Sequence, residues 1–311
     1  MVTYLLRRLL YSLLVLFGVT LLVFIALRLT GDPVQLLLRE GNPSTADIEA
    51  LRRALHLDRP LYAQYFSFVG GAVRGDFGQS LRYKTSAFAE VTSRMPATLT
   101  LAVAAYLFAV VVAVPTGILA AVKRGKAADF LSRLVSLVGI SFPSFWLGLM
   151  LILLFGVRLR WLPVSGPGEG FVGGLKALAM PATSLGIAYA ATLTRLLRSS
   201  MLEVLRADYI RTARAKGLRD RTVLLRHGLR NALIPVVTLA GLQIGSLLGG
   251  AVIIEVVFSW PGVGRLVVDA INNRDYPIVQ AAVTILATAL ILINLAVDLL
   301  YTVLDPRIQY S

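Results

Sequence analysis

Residues 208–235 read DYIRTARAKGLRDRTVLLRHGLRNALIP, and this stretch decides the fold. It lies within a segment, residues 195–230, that holds ten Lys/Arg residues and three acids, and uncharged runs flank this segment on both sides. A Lys or Arg side chain at the centre of a bilayer costs roughly 2.5–3.5 kcal/mol even on the mildest scale. The pattern therefore predicts a water-facing loop between two membrane-spanning helices.

The whole sequence contains six long runs without a charged residue, two of which flank this loop. Of the 311 residues, 57% are hydrophobic and 15% are charged, a composition unlike that of a soluble domain. A bilayer core needs about 20 helical residues, so each run is long enough to cross it. The sequence thus predicts an all-α membrane protein with six transmembrane helices. The uncharged runs are 9–27, 95–122, 134–157, 177–194, 231–254 and 276–297.

The distribution of basic residues predicts that both termini are cytoplasmic. With that orientation, 17 of the 31 Lys/Arg residues and five acids lie inside, and 14 Lys/Arg residues and ten acids lie outside. Nine of the outer basic residues belong to one long segment, which carries little weight in the positive-inside rule. The net charge of +14 is then a topology signal, and no nucleic-acid partner is expected.

The basic loop itself is predicted to form a helix, a glycine bend and a second helix. Asp208 is the predicted N-cap of a helix over 209–216. Gly217 stands where a residue in the left-handed conformation would end that helix. A second helix is predicted over 222–231, with Pro235 opening the next span. An apolar stripe is predicted along the first helix at every fourth position: Met201, Leu205, Tyr209 and Ala213.

The loop resembles the cytoplasmic EAA loop of permease subunits from bacterial ABC importers. Ala213, Gly217 and the end Leu233-Ile234-Pro235 carry the resemblance, and the string YIRTARAKGL at 209–218 is similar to dipeptide, oligopeptide and nickel permeases. The resemblance implies a type I ABC importer permease fold and a loop that docks a separate ATPase. A juxtamembrane basic loop that serves only as a topology signal is the alternative.

The sequence departs from the general motif at two positions. An acid and an alanine usually precede the second alanine, but Arg211 and Thr212 stand there, so a salt bridge from that acid is not expected. The residues assigned to the docking loop are Asp208, Tyr209, Arg211, Thr212, Ala213, Arg214, Lys216 and Gly217.

Other stretches resemble the B-type subunit of the same permeases. They are the opening residues 5–34, which end in Gly31-Asp32-Pro33, the strings LHLDRPLYAQYF and GDFGQS, and the closing Asp305-Pro306-Arg307. The chain is divided into the N-terminus and first span (1–30), an outer helical segment (31–94), a five-helix permease core with the coupling loop 195–231 (95–303), and a cytoplasmic C-terminus (304–311). Two interpretations of the outer segment stay open: it contacts a substrate-delivery protein, or it is a lid that only fills space.

Within that outer segment two helices are predicted. Pro43-Ser44-Thr45 signals the start of the first, over 46–55, with Glu49 and Arg53 spaced to form an ion pair. The second is predicted over 60–73. In the second and third spans, Pro115 and Pro143 predict bends.

The fifth span and the loop after it contain further candidates. Glycines every four residues predict a smooth helix face. Three roles stay open for this face: packing within the chain, an interface with another subunit, or lining of the transport pathway. The packing or pathway candidates are Gly241, Gln243, Gly245, Ser246 and Gly249. The Gly/Pro-rich stretch 255–280 also resembles the permease family and predicts an outer-mouth element. Its candidates are Glu255, Phe258, Pro261, Gly262 and Gly264.

Motifs for catalysis or cofactor binding are absent from the sequence. Gly125-Lys126 lacks the remainder of a phosphate loop, there is no cysteine, and His56 and His227 are far apart. No catalytic residue, metal or cofactor is therefore expected, and a membrane enzyme has no support. An ion-coupled secondary transporter using Glu255 or Asp298 is the alternative function, although both acids lie near span ends, where snorkelling is expected.

The resemblance implies a bacterial or archaeal cytoplasmic-membrane permease of an ATP-driven importer for peptides or a related solute. Its implied partners are a C-type permease subunit, two cytoplasmic ABC ATPases, an extracytoplasmic substrate-binding protein and membrane lipid.

Overall fold

The structure, a computed structural model, describes residues 2–29, 46, 49, 52, 53 and 58–304. Within these ranges the chain is almost wholly helical, as the composition predicts. The β-structure of the described residues is one isolated antiparallel bridge between Gln79 and Ser86. The helices are α1 (Val2–Leu29), α2 (Leu61–Val73), α3 (Ala87–Val122), α4 (Ala127–Ser141), α5 (Ser144–Leu151), α6 (Gly170–Val204), α7 (Asp208–Ala215), α8 (Asp220–Thr222), α9 (Arg230–Val257), α10 (Val263–Asn272) and α11 (Tyr276–Leu304).

Five helical segments of the described chain are long and apolar enough to cross a membrane. They are Leu10–Leu29, Ala87–Val122, Gly170–Val204, Asp220–Val257 and Tyr276–Asp298. The predicted third span, 134–157, is not one helix: α4 meets α5 and its π-helical continuation Ile152–Arg158 at an angle of 104°. If that bent pair makes one crossing, the described residues contain the six predicted spans.

The bend in the third span has a local cause at Pro143. Proline disfavours the helical conformation of the residue before it, and Phe142 is accordingly extended, with φ −93° and ψ 136°. Pro181 and Pro235, in contrast, lie inside the continuous helices α6 and α9. The helix α3 also continues through Pro115, so a proline in a span does not by itself break the helix.

The chain divides into two compact units, and the predicted division at residues 30, 94 and 303 stays a prediction. Among the described residues, one unit contains those up to Ala97 together with Pro261–Leu295. Its core joins the end of α1, the start of α3, α10 and the start of α11. In this core the Nε of Arg28 donates a hydrogen bond to Gln64 Oε1 at 3.0 Å, and the guanidinium lies over the Tyr276 ring.

The second unit contains Thr98–Trp260 and Ala296–Leu304. The helix α6 lies at its centre and packs against α3, α4 and α9 through small residues. A Cβ atom at Gly186 would lie 2.5 Å from the Ala105 carbonyl oxygen, so only glycine permits this close approach between α6 and α3. The apolar contacts around Leu193, Leu197 and Met201 then hold these helices together.

Part of the outer segment predicted from sequence can be compared with the structure. Arg53 Nη2 lies 3.0 Å from Glu49 Oε2, which confirms that ion pair, and α2 confirms the helix predicted over 60–73. The signals Gly31-Asp32-Pro33, Pro43-Ser44-Thr45 and Asp305-Pro306-Arg307, and most of the helix predicted over 46–55, lie outside the described residues.

Candidate functional site

The short helix α7 follows α6 after a three-residue turn. The helix was predicted to begin after an Asp208 cap, but its N-cap is Ala207, and no side chain caps it. Asp208 is instead the first helical residue, where a negative charge is favoured by the helix dipole. Its Oδ1 lies 3.3 Å from Arg211 Nη1, and both side chains are well exposed.

The helix ends at Gly217 as predicted. This residue has φ +76°, and its N–H donates to the Arg214 carbonyl at 2.9 Å. The Leu218 N–H points to the Ala213 carbonyl at 3.4 Å, which completes the pair of bonds that defines a Schellman motif. No atom lies within 4 Å of a Cβ added at Gly217, so glycine is required for backbone conformation and not for space.

The apolar stripe predicted through this region is wrong. A turn at 205–207, which includes Leu205, separates Met201 from α7, so the four residues do not share one helix. The buried face of α7 is instead formed by Ile210 and Ala213, which pack against Val223. Sequence periodicity missed Ile210 because the period was counted across a break in the helix.

Tyr209 lies outside that buried face and makes a polar contact. Its side chain is 44% exposed, and its hydroxyl oxygen accepts a hydrogen bond from Asn231 Nδ2 at 2.9 Å. The same amide also donates to the His227 carbonyl at 3.1 Å. Tyr209 therefore connects α7 to the start of α9.

The second predicted helix is continuous with the fifth span. The helix α8, a π-helical stretch Val223–Leu229 and α9 follow one another without a gap, so 220–257 is one helical segment. Pro235 does not open the span but lies inside α9. Gly228 is buried here, and a Cβ at that position would lie 3.4 Å from Leu205 Cδ2.

The docking candidates divide into an exposed set and one buried residue. Ala213 is buried and fixes α7 against Val223, whereas the other seven candidates are exposed. The exposed candidates are Asp208, Tyr209, Arg211, Thr212, Arg214, Lys216 and Gly217. The arrangement is a short, basic helix whose polar face is free to contact another macromolecule.

The candidates in α9 do not form one uniform packing face. Gly245 is buried, but Gly249 is exposed and nothing lies within 4 Å of a Cβ added there. The Ser246 hydroxyl lies 3.2 Å from the Tyr189 hydroxyl, which fixes the two helices α6 and α9 at that level. Gln243 Oε1 is buried and has no hydrogen-bond partner among the described residues, while Gly241 is half-buried.

Two of the outer-mouth candidates belong to the core of the second unit. The Glu255 side chain is 0% exposed, and its Oε1 accepts a hydrogen bond from Thr98 Oγ1 at 2.6 Å. The expected snorkelling of Glu255 to water is therefore wrong within this chain. Phe258 is also buried, and a Cβ at Gly148 would lie 2.9 Å from its ring.

The other three candidates lie in the first unit at the start of α10. Gly262 is the N-cap of this helix, Gly264 is buried inside it, and Pro261 is half-buried. The helix buries Val263 and Leu266 among other apolar residues. The Gly/Pro-rich loop predicted here thus contains a ten-residue amphipathic helix.

Sequence reasoning missed a buried ion pair between α4 and α6. Arg198 donates from Nε to Asp129 Oδ1 at 2.6 Å and from Nη2 to Oδ2 at 2.9 Å. The Gly125 N–H donates to the same carboxylate at 3.0 Å, and Arg133 Nε lies 3.5 Å from it. Asp129 was visible as a lone acid among basic residues, but its partner is 69 positions away, so spacing gave no signal.

In the part of the chain that the structure describes, no three His, Asp or Glu side chains lie close enough together to hold one metal ion.

Comparison with known sequences now identifies the class of protein. The chain belongs to the family of binding-protein-dependent transport system inner membrane components: the profile of that family matches residues 113–310, and the profile of its N-terminal region matches residues 1–102. The predicted permease family is thereby confirmed, and the chain is a multi-pass transport component of the cytoplasmic membrane.

Particular relatives match over their whole length. The di/tripeptide transport system permease protein DppB of Pseudomonas aeruginosa is 45% identical over 336 aligned residues, covering 100% of both chains. The glutathione transport system permease protein GsiC of Escherichia coli K12 is 45% identical over 313 residues, again covering 100% of both.

A solved structure described as an amino acid ABC transporter with histidines supports the fold. It aligns with a TM-score of 0.52 over 70% of this chain and 93% of that one, at 14% sequence identity.

Proposed function

We propose that this chain is the permease subunit of an ATP-driven importer for short peptides or peptide-like solutes, and forms half of the translocation pathway. The full-length match to DppB and GsiC carries the proposal, since those relatives are described as transporters of di/tripeptides and of glutathione. Both solute classes contain peptide-type amides and charged termini, which makes a short peptide the first substrate to test.

The exposed face of α7 supports the assignment of this helix as the site where an ATPase docks. The helix is short, basic and closed by Gly217, and its inner face is fixed by Ile210 and Ala213. The Tyr209–Asn231 hydrogen bond and the contact with Val223 connect it to the fifth span. A displacement of α7 by a partner would therefore be passed directly to that span.

The proposed assembly has further parts. It contains a C-type permease subunit, two cytoplasmic ATPases and an extracytoplasmic substrate-binding protein, with both termini of this chain in the cytoplasm. The family description supports the binding protein, and the excess of Lys/Arg residues on the α7 side supports the orientation. In this division of labour the chain itself hydrolyses no ATP.

The ion-coupled alternative is less well supported. The Glu255 carboxylate is buried and hydrogen-bonded to Thr98, and the full-length relatives are importer permeases. An ion-coupled carrier would take up solute in response to a proton gradient in vesicles without ATP, and Glu255→Gln or Asp298→Asn would abolish that uptake.

Gly217→Val tests the docking helix. A non-glycine residue in the left-handed conformation costs roughly 1–2 kcal/mol, which corresponds to about a five- to thirtyfold loss of affinity if docking needs the native bend. We expect co-purification of the ATPases and ATP-driven dipeptide uptake to fall by that factor, with membrane insertion unchanged.

Gly75→Val provides the matched control, because Gly75 has φ +77° and also has open space around an added Cβ. The same backbone penalty then falls in the first unit, whereas α7 belongs to the second. Parent-like docking by Gly217→Val would contradict the assignment, and an equal loss in both variants would show a general folding defect.

A further inference from the structure

A cavity in the second unit has the character of an anion site. It measures about 740 Å³, lies among α4, α6 and α9, and is open to the surface of this chain, where Arg133 and Arg195 are exposed. Three arginines line it, Arg133 from α4 and Arg195 and Arg198 from α6, together with the hydroxyl-bearing residues Thr192 and Ser199. A volume of several hundred cubic ångströms is typical of small-ligand sites.

The positive charge of this cavity is only partly neutralised. Asp129 binds Arg198 through two hydrogen bonds and lies 3.5 Å from Arg133. Among the residues that the structure describes, Arg195 has no carboxylate within ion-pair distance. The cavity thus combines three guanidinium groups with one neighbouring carboxylate, which contacts two of them, and keeps an excess of about two positive charges at neutral pH.

Two of the three arginines border predicted membrane spans in the sequence. Arg133 immediately precedes the uncharged run 134–157, and Arg195 immediately follows the run 177–194. Both are thus the charged residues that border a span, and both line the same cavity. Residues that border a span are expected in the headgroup region, where phospholipid phosphate groups lie.

The remaining lining is apolar. Leu137, Leu196 and Leu239 complete the wall of the cavity, and Leu137 lies one turn from Arg133 towards the interior of the span. A ligand that fills this space needs a strongly anionic part for the arginines and an apolar part for the leucines. Guanidinium groups bind phosphate oxygens through paired hydrogen bonds, so a phosphate is the anion that fits best.

We propose that this cavity binds the phosphate group of an anionic phospholipid headgroup, with the start of an acyl chain along the leucines. A free phosphate ion shares the anionic chemistry but would leave the apolar wall uncovered. The proposal depends on the membrane location of the chain and not on ATPase docking at α7, so the two can fail separately.

A lipid-binding titration tests the proposal. The full-length chain is purified in mild detergent with the subunits that accompany it, delipidated, and titrated with phosphatidylglycerol, phosphatidylcholine or inorganic phosphate while bound lipid is counted by native mass spectrometry. We expect binding of phosphatidylglycerol to exceed that of phosphatidylcholine. Arg133→Gln and Arg195→Gln should each weaken it about fivefold, and the double variant about 25-fold, since a basic residue near an anionic surface contributes about 1 kcal/mol.

Arg158→Gln is the matched control, because Arg158 borders the other end of the run 134–157 but does not line the cavity. It should bind phosphatidylglycerol like the parent chain. Arg198 is left unchanged, so its two hydrogen bonds to Asp129 persist. Arg133→Gln loses only a contact made by an exposed side chain, so the variants should unfold close to the parent temperature. The proposal is overturned if the double variant keeps parent affinity, if Arg158→Gln loses as much, or if inorganic phosphate displaces the lipid at equal concentration.

Discussion

The helix α7 and the Asp129–Arg198 junction are both charged, and both adjoin ends of membrane spans, yet they are built in opposite ways. In α7 the charged groups are exposed, and the helix is held by Ile210 and Ala213 against Val223 and by one hydrogen bond to Tyr209. At the junction the carboxylate is buried and receives hydrogen bonds from Arg198 and Gly125.

The difference shows how charge serves two purposes at one end of a bundle. Exposed pairs such as Arg211–Asp208 contribute little to stability and remain available to a partner. A buried pair fixes two helices, because removal of either member leaves an uncompensated charge. The junction is expected to keep α4 and α6 in register, whereas the polar face of α7 stays exposed.

The largest expected effect is at the junction. Asp129→Asn should lower the free energy of unfolding by about 3 kcal/mol, near the low end for a broken buried pair because the Arg198 side chain is still 21% exposed. Titration of SDS into mixed micelles of the purified chain measures this change. Asp208→Asn, the same substitution in an exposed pair, should change it by less than about 1 kcal/mol. Equal effects would show that burial does not distinguish the two sites.

An intermediate effect is expected where α7 is anchored. Ile210→Ala removes a fully buried side chain and should lower the free energy of local opening of α7 by about 2 kcal/mol, since large-to-small core changes cost about 2–5 kcal/mol. Amide exchange in 208–217 should accelerate about thirtyfold, with global unfolding unchanged. Leu218→Ala, which truncates an exposed neighbour, is the control. Unchanged exchange in Ile210→Ala would mean that the small cluster does not hold the helix.

The smallest effect is expected at the polar contact between α7 and α9. Tyr209→Phe removes one acceptor, but Asn231 keeps its bond to the His227 carbonyl, so we expect a loss of about 0.5–1 kcal/mol in local stability. A double-mutant cycle with Asn231→Ala, read by amide exchange in α7, isolates the pair. Additive single effects would refute direct coupling between the two side chains.

The membrane spans and the end of α7 could be predicted from the sequence, for clear physical reasons. Uncharged runs mark spans because hydrocarbon excludes charge, and Gly217 marks a helix end because few other residues adopt positive φ. The buried face of α7 was misassigned because a helical period holds only within one helix, and the turn at 205–207 interrupts it. The Asp129–Arg198 pair was missed because it is a tertiary contact between distant positions.

The third span shows a similar limit. Proline at 115, 143, 181 and 235 looks alike in the sequence, but a break of 104° occurs at Pro143 alone among the described spans. Whether a span bends depends on which groups satisfy the freed carbonyls, and that is decided by neighbouring helices. Near the break, the Ser141 hydroxyl donates back to the Leu137 carbonyl at 2.8 Å.

The bend at residues 141–143, here called the elbow, also affects how fast the unassembled chain is degraded in a cell. If the bent pair makes one crossing, the elbow falls inside the membrane, because a helix of 15 residues such as α4 is about 22 Å long and a bilayer core is roughly 30 Å thick. Lipid tails cannot solvate bare peptide groups, and Ser141, Phe142 and Pro143 are exposed on this chain. We expect that an orphan copy, synthesised without neighbours to cover the elbow, is recognised by membrane proteases and turned over faster than an assembled one.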